Sequence, residues 1–171
     1  MVYCTGYFYA YPFLNSLDPP IVTTGRRVRD IYRQLFNIHH PTLVFPALCQ
    51  KVIPFPVSEV QSAAIAKVWA NKLALPGKEE MQRSEQKELE ERGDGTGFHV
   101  LPYPKDAEYL NSLHDWVKTA TDGFAKVPAV WDDTQRWQRQ IFAELRKKFV
   151  QTGGHAVEIA DLGFKIEDMY A

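Results

Sequence analysis

The pattern of apolar and polar positions along the first 75 residues predicts two strands and two helices. Strand-forming apolar runs occupy residues 2–4 and, between two prolines, residues 41–46. A helix is predicted where helical spacing places on one face the side chains of Val28, Ile31, Tyr32, Leu35 and Phe36. The second helix is predicted to begin at the S-x-x-Q capping box of Ser58 and Gln61 and to end at Pro76-Gly77.

The later residues predict mostly helices. Residues 78–92 are strong helix formers with two apolar side chains, which favours a solvent-exposed helix, although a partner-docking surface is an alternative. The Gly93-Asp-Gly-Thr-Gly97 segment predicts a flexible turn, because the strand–turn–helix context of a phosphate loop is missing. Two more helices are predicted, from Asp106 through Thr121 to a stop at Gly123, and from Asp132 or Asp133 to Gly153-Gly154. The apolar residues of the tail, residues 155–171, are suited to packing on the sheet.

The first recognisable motif follows the first predicted strand. Thr5, Gly6 and Tyr7 are followed, after four residues, by Pro12. This string resembles the T-G-Y-x4-P motif of flavin-containing monooxygenases, which lies where the chain returns from the NADPH domain to the FAD domain. The resemblance implies that Thr5, Gly6 and Tyr7 line the junction between the two cofactors. A strand end with a tight turn and a packed aromatic ring would explain the same residues without a ligand.

A second block lies downstream of the first. It consists of Pro41-Thr-Leu-Val-Phe45, then Gln50, then Pro54-Phe-Pro56-x-x-Glu59-x-Gln61. The block is similar to the segment of flavin-containing monooxygenases in which a late strand of the FAD domain delivers the chain to the flavin. The resemblance implies that cofactor is bound by Gln50, Pro54, Phe55, Glu59 and Gln61. Glu59 and Gln61 also fit the capping box, and the two prolines are expected to hold Phe55 extended.

The chain departs from the family at the end of that strand. The family usually has Phe-Ile-Gly-Leu, and this chain has Phe45-Pro-Ala-Leu48. The change adds a Cβ at Ala47 and removes a backbone N–H at Pro46. We therefore expect weakened flavin binding at this position.

The resemblance implies an α/β fold. We expect a partial doubly wound FAD-binding (Rossmann-like) domain, with two or three parallel-type strands and several C-terminal helices, equivalent to the C-terminal half of the FAD-binding domain. The whole chain, residues 1–171, would be a single partial domain. Its parts would be a core with the family motifs (1–75), an exposed charged helix with the glycine turn (76–97) and a helical C-terminal region (98–171).

The implied activity is transfer of one oxygen atom from O2 to a soft nitrogen or sulfur nucleophile, with FAD and NADPH as cofactors and a small amine or sulfide as substrate. Neither G-x-G-x-x-G fingerprint of the family occurs in the chain, so we expect the 171 residues alone to be inactive. The missing N-terminal half or a second copy of the chain is the expected partner. The alternatives are a non-catalytic, self-associating interaction protein and a stand-alone nucleotide-binding module.

Composition narrows the other possibilities. The chain has 13% aromatic residues and a net charge of −1, which favours a globular protein and argues against binding to nucleic acid or an anionic membrane. No apolar run has the length of a membrane-spanning helix. Cys4 and Cys49 do not form the pattern of a disulfide scaffold, which favours a reducing, cytoplasmic location.

Other chemistry is weakly indicated. The four arginines near the first predicted helix, Arg26, Arg27, Arg29 and Arg33, are typical of a solvated face, with phosphate binding as the alternative. His39-His40 is more typical of surface residues than of a metal site, and Asp132-Asp133 more of a helix cap than of an acid/base pair. No metal site is expected, and no catalytic residue can be assigned.

Overall fold

A computed structural model of the chain describes Val2, residues 6–121 and residues 126–170. Within these residues the chain forms one two-stranded sheet and five α-helices, which confirms the α/β class in its coarse form. The elements are β1 Ile31–Tyr32, β2 Phe36–Asn37, α1 Pro54–Trp69, α2 Lys78–Arg92, α3 Lys105–Lys118, α4 Asp133–Gln140 and α5 Phe142–Gln151. Short 3-10 helices span Pro12–Leu14, Ile159–Leu162 and Ile166–Tyr170. The strand predicted at residues 2–4 lies outside the described residues except for Val2, which is not in a strand.

The helix predicted around residues 28–36 is wrong, because this segment folds as the β1–β2 hairpin. The strands pair antiparallel, and the N–H of Leu35 donates to the carbonyl of Tyr32 across a tight turn. Arg33 and Gln34 occupy the left-handed region in that turn, at φ values of +50° and +54°. The residues of the predicted apolar face are nevertheless buried, because the hairpin lies between the core clusters and α2. Because both faces of the hairpin are buried, its buried residues have the same spacing in the sequence as the residues on one face of a helix.

The predicted parallel strands are not confirmed either. The segment at 41–46 makes one antiparallel bridge, between Val44 and Phe36, and the Phe45 N–H donates to the Leu35 carbonyl. Parallel pairing among the described residues is limited to a single bridge between Gln50 and Val100. The sheet of the described residues is therefore small and antiparallel, and the doubly wound detail remains a prediction.

Helix α1 begins five residues earlier than expected. Its N-cap is Ile53 and its first residue is Pro54, so Ser58 and Gln61 lie inside the helix and the predicted capping box is wrong. Phe55 is helical rather than extended. Proline is tolerated in the first helical turn because the N–H that it lacks has no partner within the helix there. Helix α1 packs against α3.

Helix α2 spans the predicted residues, but it is not solvent-exposed on all of its faces as predicted. Met81 and Glu85 are buried on the face of the helix that packs against β1. The prediction of a plainly solvated helix is therefore wrong for this face. Glu88 and Arg92, one helical turn apart on α2, form an ion pair.

The last helices differ from prediction in their limits. Asp106 does not cap α3, because the N-cap is Pro104 and Asp106 is fully buried inside the first turn. The predicted stop at Gly123 lies outside the described residues. Asp132 does cap α4, and Gln135 completes a reciprocal capping box. The predicted single helix breaks at Ile141 into α4 and α5, and the tail contacts these two helices rather than the sheet.

The helices of the described residues do not include one with the length and apolar character needed to cross a membrane.

Candidate functional site

The residues of the first motif lie at the surface. Gly6 has a φ of +85°, and a Cβ built on it would meet no atom within 4 Å. The Tyr7 side chain is fully exposed, and Phe8 is 70% exposed. Thr5 lies outside the described residues. Gly6 therefore has the left-handed backbone that glycine favours, but the packed aromatic ring that would explain Tyr7 without a ligand is not observed.

Tyr9 connects the two motif blocks. The side-chain amide of Gln50 donates to the Tyr9 hydroxyl at 2.7 Å, and the Tyr9 N–H donates to the Gly25 carbonyl at 2.8 Å. The Tyr9 ring also contacts the His99 ring edge-on, with 5.3 Å between centroids. The sequence analysis missed Tyr9, although its place two residues after Tyr7 in an aromatic run was a usable signal.

Gln50 is held by its backbone as well as by its side chain. Its N–H donates to the His99 carbonyl at 2.8 Å, and its carbonyl accepts from the Leu101 N–H at 3.0 Å. The Gln50 side chain itself is exposed. Gln50 thus presents a fixed amide at the surface, beside Tyr9.

Gln61 lies in the interior and supports the loop before Gln50. Its carbonyl oxygen accepts from the Ala47 N–H at 2.8 Å, and its amide donates to the Tyr109 hydroxyl at 2.8 Å. Cys49 is buried beside Gln61, and burial raises the pKa of its thiol to about 12. A fully buried Gln61 can position this loop, but in the described residues it does not reach the surface.

Ala47 has a left-handed backbone, with a φ of +60°. This is the position where the family usually has glycine, and an L side chain is strained in that region. The hydrogen bond from the Ala47 N–H to Gln61 holds the conformation in spite of the Cβ. The departure noted in the sequence therefore falls on a position where the backbone favours glycine.

The remaining predicted residues lie on the exposed side of α1. Phe55 is 84% exposed, and Glu59 forms an ion pair with Lys126 at 2.7 Å. Pro54 and Pro56 have no N–H, so Phe55 supplies the single N–H of the first three helical residues. The N-terminus of α1 therefore offers few backbone N–H donors to an anion.

A set of buried polar groups joined by hydrogen bonds lies behind Gln50. His99 is fully buried, and its Nε2 accepts from the Val28 N–H at 3.0 Å while its Nδ1–H donates to the Gln34 side chain. Burial, together with the charges of Arg27 and Arg92, lowers the pKa of His99 to about 4, so the ring is neutral at pH 7. The sequence analysis missed His99, whose signal was a histidine inside an apolar run.

Arg27 is part of the same buried region, so the prediction of a solvated arginine face is wrong for this residue. It donates to Glu85 at 2.9 Å, pairs with Asp94 and lies over the Phe98 ring. Burial raises the pKa of Glu85 even though Arg27 favours the ionised form. The Arg27 guanidinium is bound by the Glu85 and Asp94 carboxylates, whereas the Arg26 side chain is exposed.

The other polar candidates have structural partners. His39 Nε2 lies 3.3 Å from Asp30, and the backbone N–H groups of His39 and His40 donate to the Asn37 side chain. Within the described residues, no three His, Cys, Asp or Glu side chains are grouped to hold a metal ion.

The first motif block presents aromatic side chains at the surface. Tyr7 and Phe8 are exposed, and the next residue, Tyr9, is bonded to the Gln50 amide. A pyrophosphate needs a glycine-rich turn that opens a helix. Among the described residues the glycine-rich turn at 93–97 leads instead to the bridge at Val100.

Comparison with known proteins identifies relatives. The family model for flavin-binding monooxygenase-like proteins (FMO-like) matches residues 1–123. "Flavin-containing monooxygenase ustF2" of Aspergillus flavus is 27% identical over 157 residues, covering 85% of this chain and 31% of the relative. "Senecionine N-oxygenase" of Tyria jacobaeae is 35% identical over 85 residues, covering 48% of this chain and 18% of the relative.

A solved structure has the same fold over nearly the whole chain. The S-allyl-L-cysteine S-oxygenase from Allium sativum superposes with a TM-score of 0.71 and 26% sequence identity, covering 93% of this chain and 35% of the other. The chain therefore spans about a third of the length of this protein and of ustF2. Because the family model covers well over half of the 171 residues, the chain belongs to the flavin-binding monooxygenase-like family, whose members use FAD and NADPH.

Proposed function

We propose that this chain forms the ring-facing part of the flavin site in a monooxygenase that oxygenates soft nitrogen or sulfur nucleophiles. The bound FAD, with NADPH and O2, would supply the oxidising chemistry. The printed names of the relatives include an N-oxygenase and an S-oxygenase, which supports a small amine or sulfide as substrate. The pyrophosphate-binding fingerprints would come from outside these 171 residues, so the chain alone would not turn over.

One observation carries this proposal. The hydrogen bond between Gln50 and Tyr9 places the two motif blocks, which are about forty residues apart in the sequence, on one surface. A connector loop without a ligand would need no such link to an exposed aromatic segment. The link therefore favours a shared binding surface over two unrelated structural motifs.

The proposed roles follow from position. Gly6 would allow the backbone to pass close to the cofactor, and Tyr7 would cover the ring from solvent. Gln50 would offer an amide to the polar edge of the ring. Gln61 would hold the preceding loop without touching the cofactor, whereas Pro54, Phe55 and Glu59 would line the approach along α1.

The proposal is tested by an FAD titration that follows flavin fluorescence and protein melting together. One arm uses the chain alone, and the second adds a polypeptide that carries the N-terminal fingerprints of the family. We expect saturable binding in the second arm, and weaker binding there for Gln50→Ala than for the control Gln82→Ala on the exposed side of α2. No binding in either arm would contradict the proposal.

A second function is favoured by the exposed apolar side chains. They include Tyr7, Phe8, Phe13, Phe55 and Trp69. Tyr7, Phe8 and Phe13 fall within seven residues of the chain, and exposed apolar patches often mark contacts with another chain. A non-catalytic, self-associating protein would form a defined dimer in light scattering and would ignore flavin, whereas the proposed enzyme segment would associate with the missing part.

A further inference from the structure

Arg139 links α4 to the loop that carries Gln50. Its Nη2 donates to the Lys51 carbonyl at 3.0 Å, one residue after Gln50. Its Nε donates to Asp106 Oδ2 at 2.6 Å. Asp106 is fully buried in the first turn of α3, and its other oxygen accepts from the Ala107 N–H. A single guanidinium thus joins α3, α4 and this loop.

The loop needs an external restraint at this point. Lys51 has a φ of +60°, a left-handed conformation that costs an L residue energy. The Lys51 side chain is exposed. The charge-assisted hydrogen bond from Arg139 to its carbonyl is a contact able to hold the conformation.

We propose that Arg139 is a positioning residue for the candidate flavin site, acting through the Lys51 carbonyl to fix the Gln50 backbone. Arg139 lies beyond residues 1–123, the part matched by the family model. The C-terminal helices therefore do more than extend the fold, because they set the geometry of the loop. The consequence for flavin rests on the proposed function, whereas the effect on the loop does not.

The guanidinium of Arg139 makes two contacts, and a substitution that removes one of them tests the proposal without unfolding the chain. Arg139→Lys keeps a positive charge beside the buried Asp106. The single side-chain nitrogen of lysine cannot also make the hydrogen bond to the Lys51 carbonyl that the second guanidinium nitrogen makes. Removing the charge altogether would leave Asp106 buried without its partner, which destabilises a fold strongly. The lysine variant therefore separates the loop contact from the ion pair.

The experiment is amide hydrogen exchange on the 171-residue chain. The reporters are the N–H groups of Gln50 and Leu101, which form the bridge beside the loop. In Arg139→Lys we expect both to exchange about tenfold faster than in the unmodified chain, with α2 amides and the melting temperature nearly unchanged. Arg136→Lys, on the same helix, is the control and should leave the reporters unchanged.

Two results would overturn the positioning role. Unchanged exchange at Gln50 and Leu101 would show that Arg139 does not hold the loop. Equal acceleration in the loop and in α2 would show that it acts on global stability alone. In the complemented flavin titration, Arg139→Lys should weaken FAD binding more than Arg136→Lys. Failure of the unmodified chain and of both variants to bind FAD would contradict the proposed function, while the exchange result would still decide the role of Arg139.

Discussion

The hairpin–α2 region and the α4–α5 region are held together by different kinds of interaction. Around the hairpin, Arg27, Glu85 and His99 are buried and bonded to partners more than fifty residues away. From residue 133 onward, Trp137 and Phe164 are the buried side chains among the described residues. Apart from the contacts of Arg139 with Asp106 and Lys51, that region is held by helix caps and by hydrogen bonds between residues a few positions apart.

The two regions are expected to differ in how well they tolerate substitution. A buried charge depends on its partner, so loss of one group leaves the other desolvated and unpaired. A helix cap is replaceable, because water can reach the exposed end of the helix. We therefore expect the hairpin–α2 region to dominate the free energy of unfolding. Apart from Arg139, the α4–α5 region should respond mildly and locally.

The largest effect is expected from Arg27→Met. Loss of the guanidinium leaves the Glu85 carboxylate buried beside β1 and removes the contact with Phe98. We expect a loss of about 3–5 kcal/mol in the free energy of unfolding, measured by urea denaturation. The neighbouring Arg26→Met is exposed and should cost less than about 0.5 kcal/mol. Equal effects of the two substitutions would remove the basis of the comparison.

The pH dependence of His99 should be the next largest effect. Its folded pKa of about 4 lies below the ordinary 6.5, so the unfolded state binds more protons between these values. The contribution of neutral His99 to the free energy of unfolding is fully present above pH 6.5 and is lost as the pH falls toward 4. Because of this group, we expect the free energy of unfolding to be about 2 kcal/mol lower at pH 5 than at pH 7.5, measured by urea denaturation at both pH values. In His99→Gln this part of the pH dependence should disappear, and an unchanged slope would contradict the assignment.

Ala47→Gly should stabilise the chain. The φ of +60° strains an L residue but not glycine, so we expect a gain of about 1 kcal/mol in thermal or urea unfolding. Ala66→Gly, in the exposed interior of α1, is the matched control and should cost about 1 kcal/mol. The same sign for both substitutions would show that the strain at Ala47 is relieved in another way.

The smallest effect is expected at the cap of α4. Asp132→Ala removes the acceptor for the N–H groups of Thr134 and Gln135, which should cost about 0.5–1 kcal/mol. Amide exchange should increase in α4 and remain unchanged in the hairpin. Asp133→Ala, at the first helical position, should cost less. A loss as large as that of Arg27→Met, or faster exchange in the hairpin as well as in α4, would contradict a mild and local response of this region.

The candidate site illustrates both the reach and the limit of sequence motifs. The motifs identified the family and named Gln50, and the structure links that residue to the first block through Tyr9. The motifs also named Gln61, which lies in the interior, where it supports Ala47. Tyr9, His99 and Arg139 were missed, because each acts through a contact with a residue distant in the sequence.

Features that depend on neighbouring residues could be read from the sequence. The limits of α2, a helix cap at Asp132 or Asp133 and the left-handed backbone at Gly6 follow from propensities, capping side chains and glycine freedom within a few positions. The tertiary structure decided the hairpin in place of a helix, the burial of Arg27 and the earlier start of α1. Apolar spacing identifies residues that are buried, whereas the shape of the surrounding core selects the backbone that buries them.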